Sequence, residues 1–310
     1  MCVWDHNPKR TVMSFKAVGV IDIPDSTSTL FDHGTFEPSS RRVFVAHTAR
    51  DRIEVIDHDT SRHLTTLQGF PEAAGVVAAE GQILVTNRGA AGLAWIDAHT
   101  LETRAVFDTG LRPNGVAIVS HQKLAVVACI GDQSHGPVLQ VLDLESHRRW
   151  VIDLPGQPRW CVTDVAGARV FVAIREPSMI LVARLPELEE VQHWKLPSVG
   201  AHGIDLDQMS NRLYVACDGG ALVELETLAG QVRGEWPLSG VPDATFFNPA
   251  SGLVHVAIGK PGLVESINPH TGARTQFATA IGAKTTALVP PDNLYVFSPV
   301  HHGILALVEV

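Results

Sequence analysis

Histidine, asparagine, aspartate and arginine recur at two equivalent places in a pattern that repeats along the 310-residue chain. One place holds His33, Ala74, Asn114, Trp160, His202, Asp243 and Thr285. The other holds His47, Asn87, Cys129, Ile174, Cys217, Ile258 and Ser298, followed directly by Thr48, Arg88, Ile130, Arg175, Asp218, Gly259 and Pro299. Polar groups that border apolar runs need partners, water or a ligand. Imidazole with carboxylate suits zinc or another divalent transition ion, whereas an Asn- and Asp-rich set suits calcium or magnesium. One divalent ion held by His33, His47, His202 and Asp243, with Asn114 adding an amide oxygen, would polarise a carbonyl and lower the pKa of a bound water. His301 or Asp218 would then serve as base, while Asn87, Arg88, Trp160 and Arg175 would contact a small ligand. The bland alternative for any one of these histidines is a hydrated group lining a channel. Cys129 and Cys217 share a repeat position and are read as small buried hydrophobes.

The elements that must carry these residues are short apolar runs. Seven of them align: RVFVAH from Arg42, QILVTN from Gln82, LAVVAC from Leu124, RVFVAI from Arg169, RLYVAC from Arg212, LVHVAI from Leu253 and NLYVFS from Asn293. Counted from Val43 through Ile83, Ala125, Val170, Leu213 and Val254 to Leu294, the steps are 40, 42, 45, 43, 41 and 40 residues. A fixed period of this size means stacked or radially arranged copies of one unit. The runs are β-branched or aromatic, about six residues long, and bounded by Gly, Pro, Asn or Asp, which favours strands over helices. About four such strands per period predict an all-β fold, a single seven-bladed β-propeller of four-stranded antiparallel blades. The last repeat has room for three strands, so the strand at Ala17–Ile23 is expected to complete it and close the ring, with residues 1–16 as a tail. In such a ring both sets of polar positions face one mouth of the central channel.

Arg42-Val43-Phe44-Val45-Ala46, then Ile53-Glu54-Val55-Ile56-Asp57 and Asp59-Thr60, resembles the YVTN-type propeller repeat, and echoes at Leu93–Asp97, Val138–Asp143 and Asn268–Gly272 extend the likeness over essentially the whole chain. That resemblance implies the fold and leaves the function to the site, because such propellers host many activities. Arg112-Pro113-Asn114-Gly115 and Val241-Pro242-Asp243-Ala244 resemble the turns of gluconolactonase-like propellers, whose Asn and Asp bind the catalytic metal. Seven-bladed propeller lyases that open cyclic esters offer a second analogy, in which His202 or His301 would be the base. Two functions are therefore expected: a propeller that binds a small molecule, an ion or a protein partner at the channel mouth, or a metal-dependent hydrolase or lyase acting on a lactone or cyclic ester.

Composition removes other classes. A net charge of -9 argues against a broad nucleic-acid surface, and no run of 18 uncharged apolar residues is present to span a bilayer. Met1 to Met13 carries Asp5, His6, Lys9 and Arg10 and no apolar core of a secretory signal, and Cys2, Cys129, Cys161 and Cys217 match neither a zinc motif nor a disulfide framework. A reducing cytoplasm is the expected compartment. There is no G-x-S-x-G elbow, P-loop or G-x-G-x-x-G after a strand.

Overall fold

The computed structural model describes residues 14–26, 29–164, 166–300 and 303–310. Seven four-stranded antiparallel sheets form a closed ring of blades, and blades 1 to 6 each run from an innermost to an outermost strand in chain order. The innermost strands are Gly34–Glu37, Ala73–Ala79, Pro113–Val119, Pro158–Thr163, Ala201–Asp207, Pro242–Asn248 and Thr285–Val289, in blades 1 to 7. The aligned apolar runs are the second strands, and they bury residues of both parities: Leu124–Cys129 and Leu253–Ile258 are buried throughout. A blade is covered on both faces by its neighbours, so these strands read as continuous apolar runs rather than alternating ones. Outermost strands face solvent on one side, and Arg274–Ala278 alternates exposed and half-buried residues. Asp57, Asp97 and Asp143 end third strands, Asn268 directly follows one, and all four accept backbone N–H groups two or three residues on, as at Thr60 N to Asp57 Oδ1, 2.7 Å. These side chains set the outer hairpin turns. Among the described residues no helix is long and apolar enough to cross a membrane.

Blade 7 takes its fourth strand from the beginning of the chain. Phe15–Asp22 pairs antiparallel with Gly303–Glu309, from Phe15 opposite Glu309 to Asp22 opposite Gly303. The closing strand thus starts two residues before the expected Ala17, and most of the expected tail lies outside the described residues. A buried polar cluster fastens this seam to blade 6: His255 Nε2 lies 2.6 Å from Glu309 Oε1, Asn248 Nδ2 donates to the same oxygen at 2.7 Å, and the Phe15 ring packs 4.9 Å from the imidazole. Burial alone would raise the Glu309 carboxyl, but His255 and Asn248 outweigh it and hold the group below its ordinary 4.5. A depressed carboxyl contributes stability above its unfolded pKa and loses it as pH falls through the folded one. Glu309→Ala should cost about 3–5 kcal/mol, because it leaves a buried imidazole without its partner. Urea unfolding from pH 7 down to pH 3 should show a shallower acid loss in Glu309→Gln than in the parent, and identical slopes would contradict this account.

Candidate functional site at one channel mouth

Near its start, each of five innermost strands departs from regular pairing. The irregularities fall between Ala73 and Val76, Pro113 and Gly115, Pro158 and Cys161, Ala201 and Ile204, and Pro242 and Thr245. Bulges re-aim side chains. Here they turn Asn114, Arg159 with Trp160, His202 and Asp243 toward the axis, where these five join Leu30, Phe31, Asp32, His33, Arg88, Gly203 and Lys284 around a cavity of about 190 Å³. Glycine lets adjacent strands approach at these points. A Cβ on Gly203 would stand 2.2 Å from the Asp243 carbonyl oxygen, and one on Gly75 would stand 2.3 Å from that of Asn114.

His33 of blade 1 and Trp160 of blade 4 stack across the channel, with ring centroids 3.6 Å apart and planes 7° from parallel. Asp32 Oδ1 lies 2.8 Å from His33 Nδ1, and its other oxygen accepts Arg88 Nη2 at 2.6 Å. Burial raises the Asp32 carboxyl, yet His33, Arg88 and Lys284 together hold it far below the ordinary range. Asn114 is fully engaged: its Oδ1 accepts from Arg88 and its Nδ2 donates to the Arg159 carbonyl at 2.6 Å.

On the other side, Asp218 accepts His202 Nδ1 at 2.7 Å and Arg175 Nε at 2.7 Å. Burial raises this carboxyl, but the imidazole and guanidinium outweigh it, and the net shift is downward. A carboxylate on Nδ1 selects the tautomer whose Nε2 is a free acceptor. Nε2 lies 3.8 Å from Asp243 Oδ1, and Asp243 Oδ2 is held by Lys284 Nζ at 2.8 Å. Burial pulls the Lys284 ammonium down, and Asp243 and Asp32 reverse the sign, leaving it above its ordinary value. An imidazole so placed can take or give a proton at Nε2.

Arg159 differs from its neighbours. Its Nε is buried and without a hydrogen-bond partner, and among the described residues no carboxylate lies within ion-pair distance of it. Burial, with Arg175 close by, lowers its pKa against the pull of Asp218, Asp243 and Asp32. The cavity lining therefore carries three cations, Arg88, Arg159 and Lys284, against two carboxylates, Asp32 and Asp243. In a chain of net charge -9, one end of the channel is locally positive.

His33, Asn114, His202, Asp243, Arg88 and Trp160 of the residues expected from sequence share this one cavity. Arg175 and Asp218 stand behind His202. His47 does not reach it: fully buried, its Nδ1 lies 2.7 Å from Glu54 and its Nε2 2.5 Å from Thr29 Oγ1, under the Phe31 ring. Asn87 is also buried and off the cavity. His47 and Asn87 end their second strands buried, and the residue after Asn87, Arg88, lines the cavity. Cys129 and Cys217 are fully buried, and burial pushes both thiols up to about 12. His301 lies outside the described residues. The five side chains expected to share one ion do not converge as a ligand set. Asp243 is committed to Lys284 and Asn114 to Arg88, and among the described residues no group of three His, Cys, Asp or Glu could hold a metal. As arranged, with three cations among them, these donors do not fit a divalent ion. Asp32 and Arg159, which the repeat alignment does not single out, each directly precede a ring position.

No family model and no curated protein matches the chain. The likeness is to solved structures. A streptogramin B lyase structure superposes with a TM-score of 0.79 at 12% identity, covering 96% of this chain and 98% of that one. Hydrazine synthase of Kuenenia stuttgartiensis superposes with a TM-score of 0.77 at 13% identity, covering 88% and 94%. At such identities the likeness shows the fold alone: this chain is a seven-bladed β-propeller.

Asp218→Asn should abolish the preference of His202 for the Nδ1–H tautomer while leaving the propeller folded. Imidazole ¹⁵N shifts would read it, and an unchanged tautomer ratio would remove Asp218 from its orienting role.

Proposed function

We propose that this chain is a YVTN-type propeller that binds a small anionic molecule, a carboxylate in the first instance, in the cup at one mouth of its channel. The observation that carries this reading is Arg159, which lines the cavity with a buried Nε that has no hydrogen-bond partner and makes no ion pair among the described residues. A buried N–H without a partner is costly, and a planar guanidinium matches a carboxylate in two parallel hydrogen bonds. Arg88 and Lys284 are tied by 2.6 and 2.8 Å contacts to Asp32 and Asp243, which hold them in place around the incoming charge. His202, with Asp218 accepting from Nδ1, donates to the anion from Nε2 when its imidazole is protonated, and the His33–Trp160 stack supplies a flat floor.

Titration of the protein with acetate and, separately, inorganic phosphate, followed by calorimetry at low ionic strength, tests the reading. Acetate should bind, and Arg159→Gln should weaken it by about 10- to 100-fold, the worth of a charge-assisted hydrogen bond. Binding of neither anion, or equal affinity in the parent and Arg159→Gln, would overturn it.

A further inference from the structure

Small-molecule sites usually enclose about 300–1,000 Å³. The cup, at about 190 Å³, has room for on the order of six waters, enough for a charged head group and little more. What surrounds its mouth is uneven. The loops entering the innermost strands of blades 5, 6, 7 and 1 expose Val199, Val241, Ile281 and Leu30, and Val300 joins them from blade 7. The equivalent loops of blades 2 and 3 expose the charged Glu72 and Arg112. The loops meet at the seam between blades 7 and 1: Thr29 N donates to the Pro299 carbonyl, and a Cβ on Gly282 would touch the Pro299 ring at 2.9 Å.

Beside this arc lies a second cavity of about 430 Å³, lined chiefly by Val20, Ala280, Ala283, Val296 and Leu305, between blade 6 and the closing strand of blade 7. The segment from Ala280 to Lys284 is the wall between the two. Ala283 lines the apolar groove, Lys284 lines the cup, and they are adjacent in the chain. Ile281 stands exposed on the crest. Because Ala283 and Lys284 are consecutive, the path from the cup to the groove crosses this one loop.

We infer that the ligand is an amphipathic anion, with its charged head beside Arg159 and an unbranched apolar tail laid over Ile281 into the groove at Val20 and Ala283. This rests on the anion reading of the cup and adds the chemical class of the rest of the molecule. Charge complementarity selects the head, and the apolar lining with its exposed crest selects the tail.

The test is a calorimetric series of straight-chain carboxylates, acetate, butanoate, hexanoate and octanoate, each below its micellar concentration. Affinity should tighten by about 4-fold for each methylene that becomes buried, the equivalent of about 0.8 kcal/mol. Val20→Asp and Ile281→Ser alter exposed side chains, so both should melt as the parent does. They should flatten the series and leave acetate unchanged, whereas Arg159→Gln should weaken every member alike. A flat series in the parent with acetate still bound would overturn the tail and spare the anion site. Absence of acetate binding would overturn the anion site itself. Octanoate binding that ignores Arg159→Gln, or a steep series retained in both groove variants, would overturn the proposed path.

Discussion

Seven strands brought to one axis have little room, and most of the geometry at this end of the channel follows from that crowding. Where neighbouring innermost strands press closest, the next blade's carbonyl oxygen sits where a side chain would be, and Gly75 and Gly203 make the approach possible. Both glycines lie within irregular pairing that recurs in five innermost strands and swings side chains out of the sheet and over the channel. A regular pleat would send alternate residues into the layers between blades. The bulge gives the channel mouth two neighbouring side chains from one strand, and Arg159 with Trp160 is the case that matters most.

Electrostatics at the mouth is a matter of uneven pairing. Asp32 and Asp243 each bind one cation firmly, and neither makes an ion pair with Arg159. Long cationic side chains held by carboxylates lose little further rotamer freedom when an anion arrives, which is how preorganisation raises affinity. The overall acidity of the chain makes the local sign more telling, since an acidic surface does not by itself attract anions. His202 belongs to the same arrangement, oriented from behind by Asp218 and Arg175 with its free nitrogen turned to the cavity side.

Elsewhere buried charge serves the architecture. Glu54, fully buried, lies within bonding distance of His47, His63, Thr66 and Arg52 and ties strands of blade 1 together. His255 and Glu309 join blade 6 to the seam where the two ends of the chain meet. A ring with one unpaired edge would expose a row of backbone donors and acceptors. The closing strand removes that edge, and the polar cluster places its partner strand against the neighbouring blade. Both clusters involve histidines that a sequence pattern alone could assign to chemistry.

The 40- to 45-residue period, the β-branched runs and the turn carboxylates were sufficient to specify seven blades, four strands in each, and closure by the N-terminal strand, because strand length, turn chemistry and burial on both faces are all local in sequence. They also placed His33, Asn114, His202 and Asp243 at one end of the channel, since equivalent positions of a radial repeat must share a face. Side-chain direction was beyond their reach. A one-residue bulge separates Arg159 from the strand around it, and a one-residue step separates buried Asn87 from the cavity-lining Arg88. Neither leaves a mark in composition or period. Which carboxylate binds which cation, and hence that Arg159 is left over, is decided by contacts between blades up to 56 residues apart, such as Arg88 with Asp32, and only the assembled ring makes them.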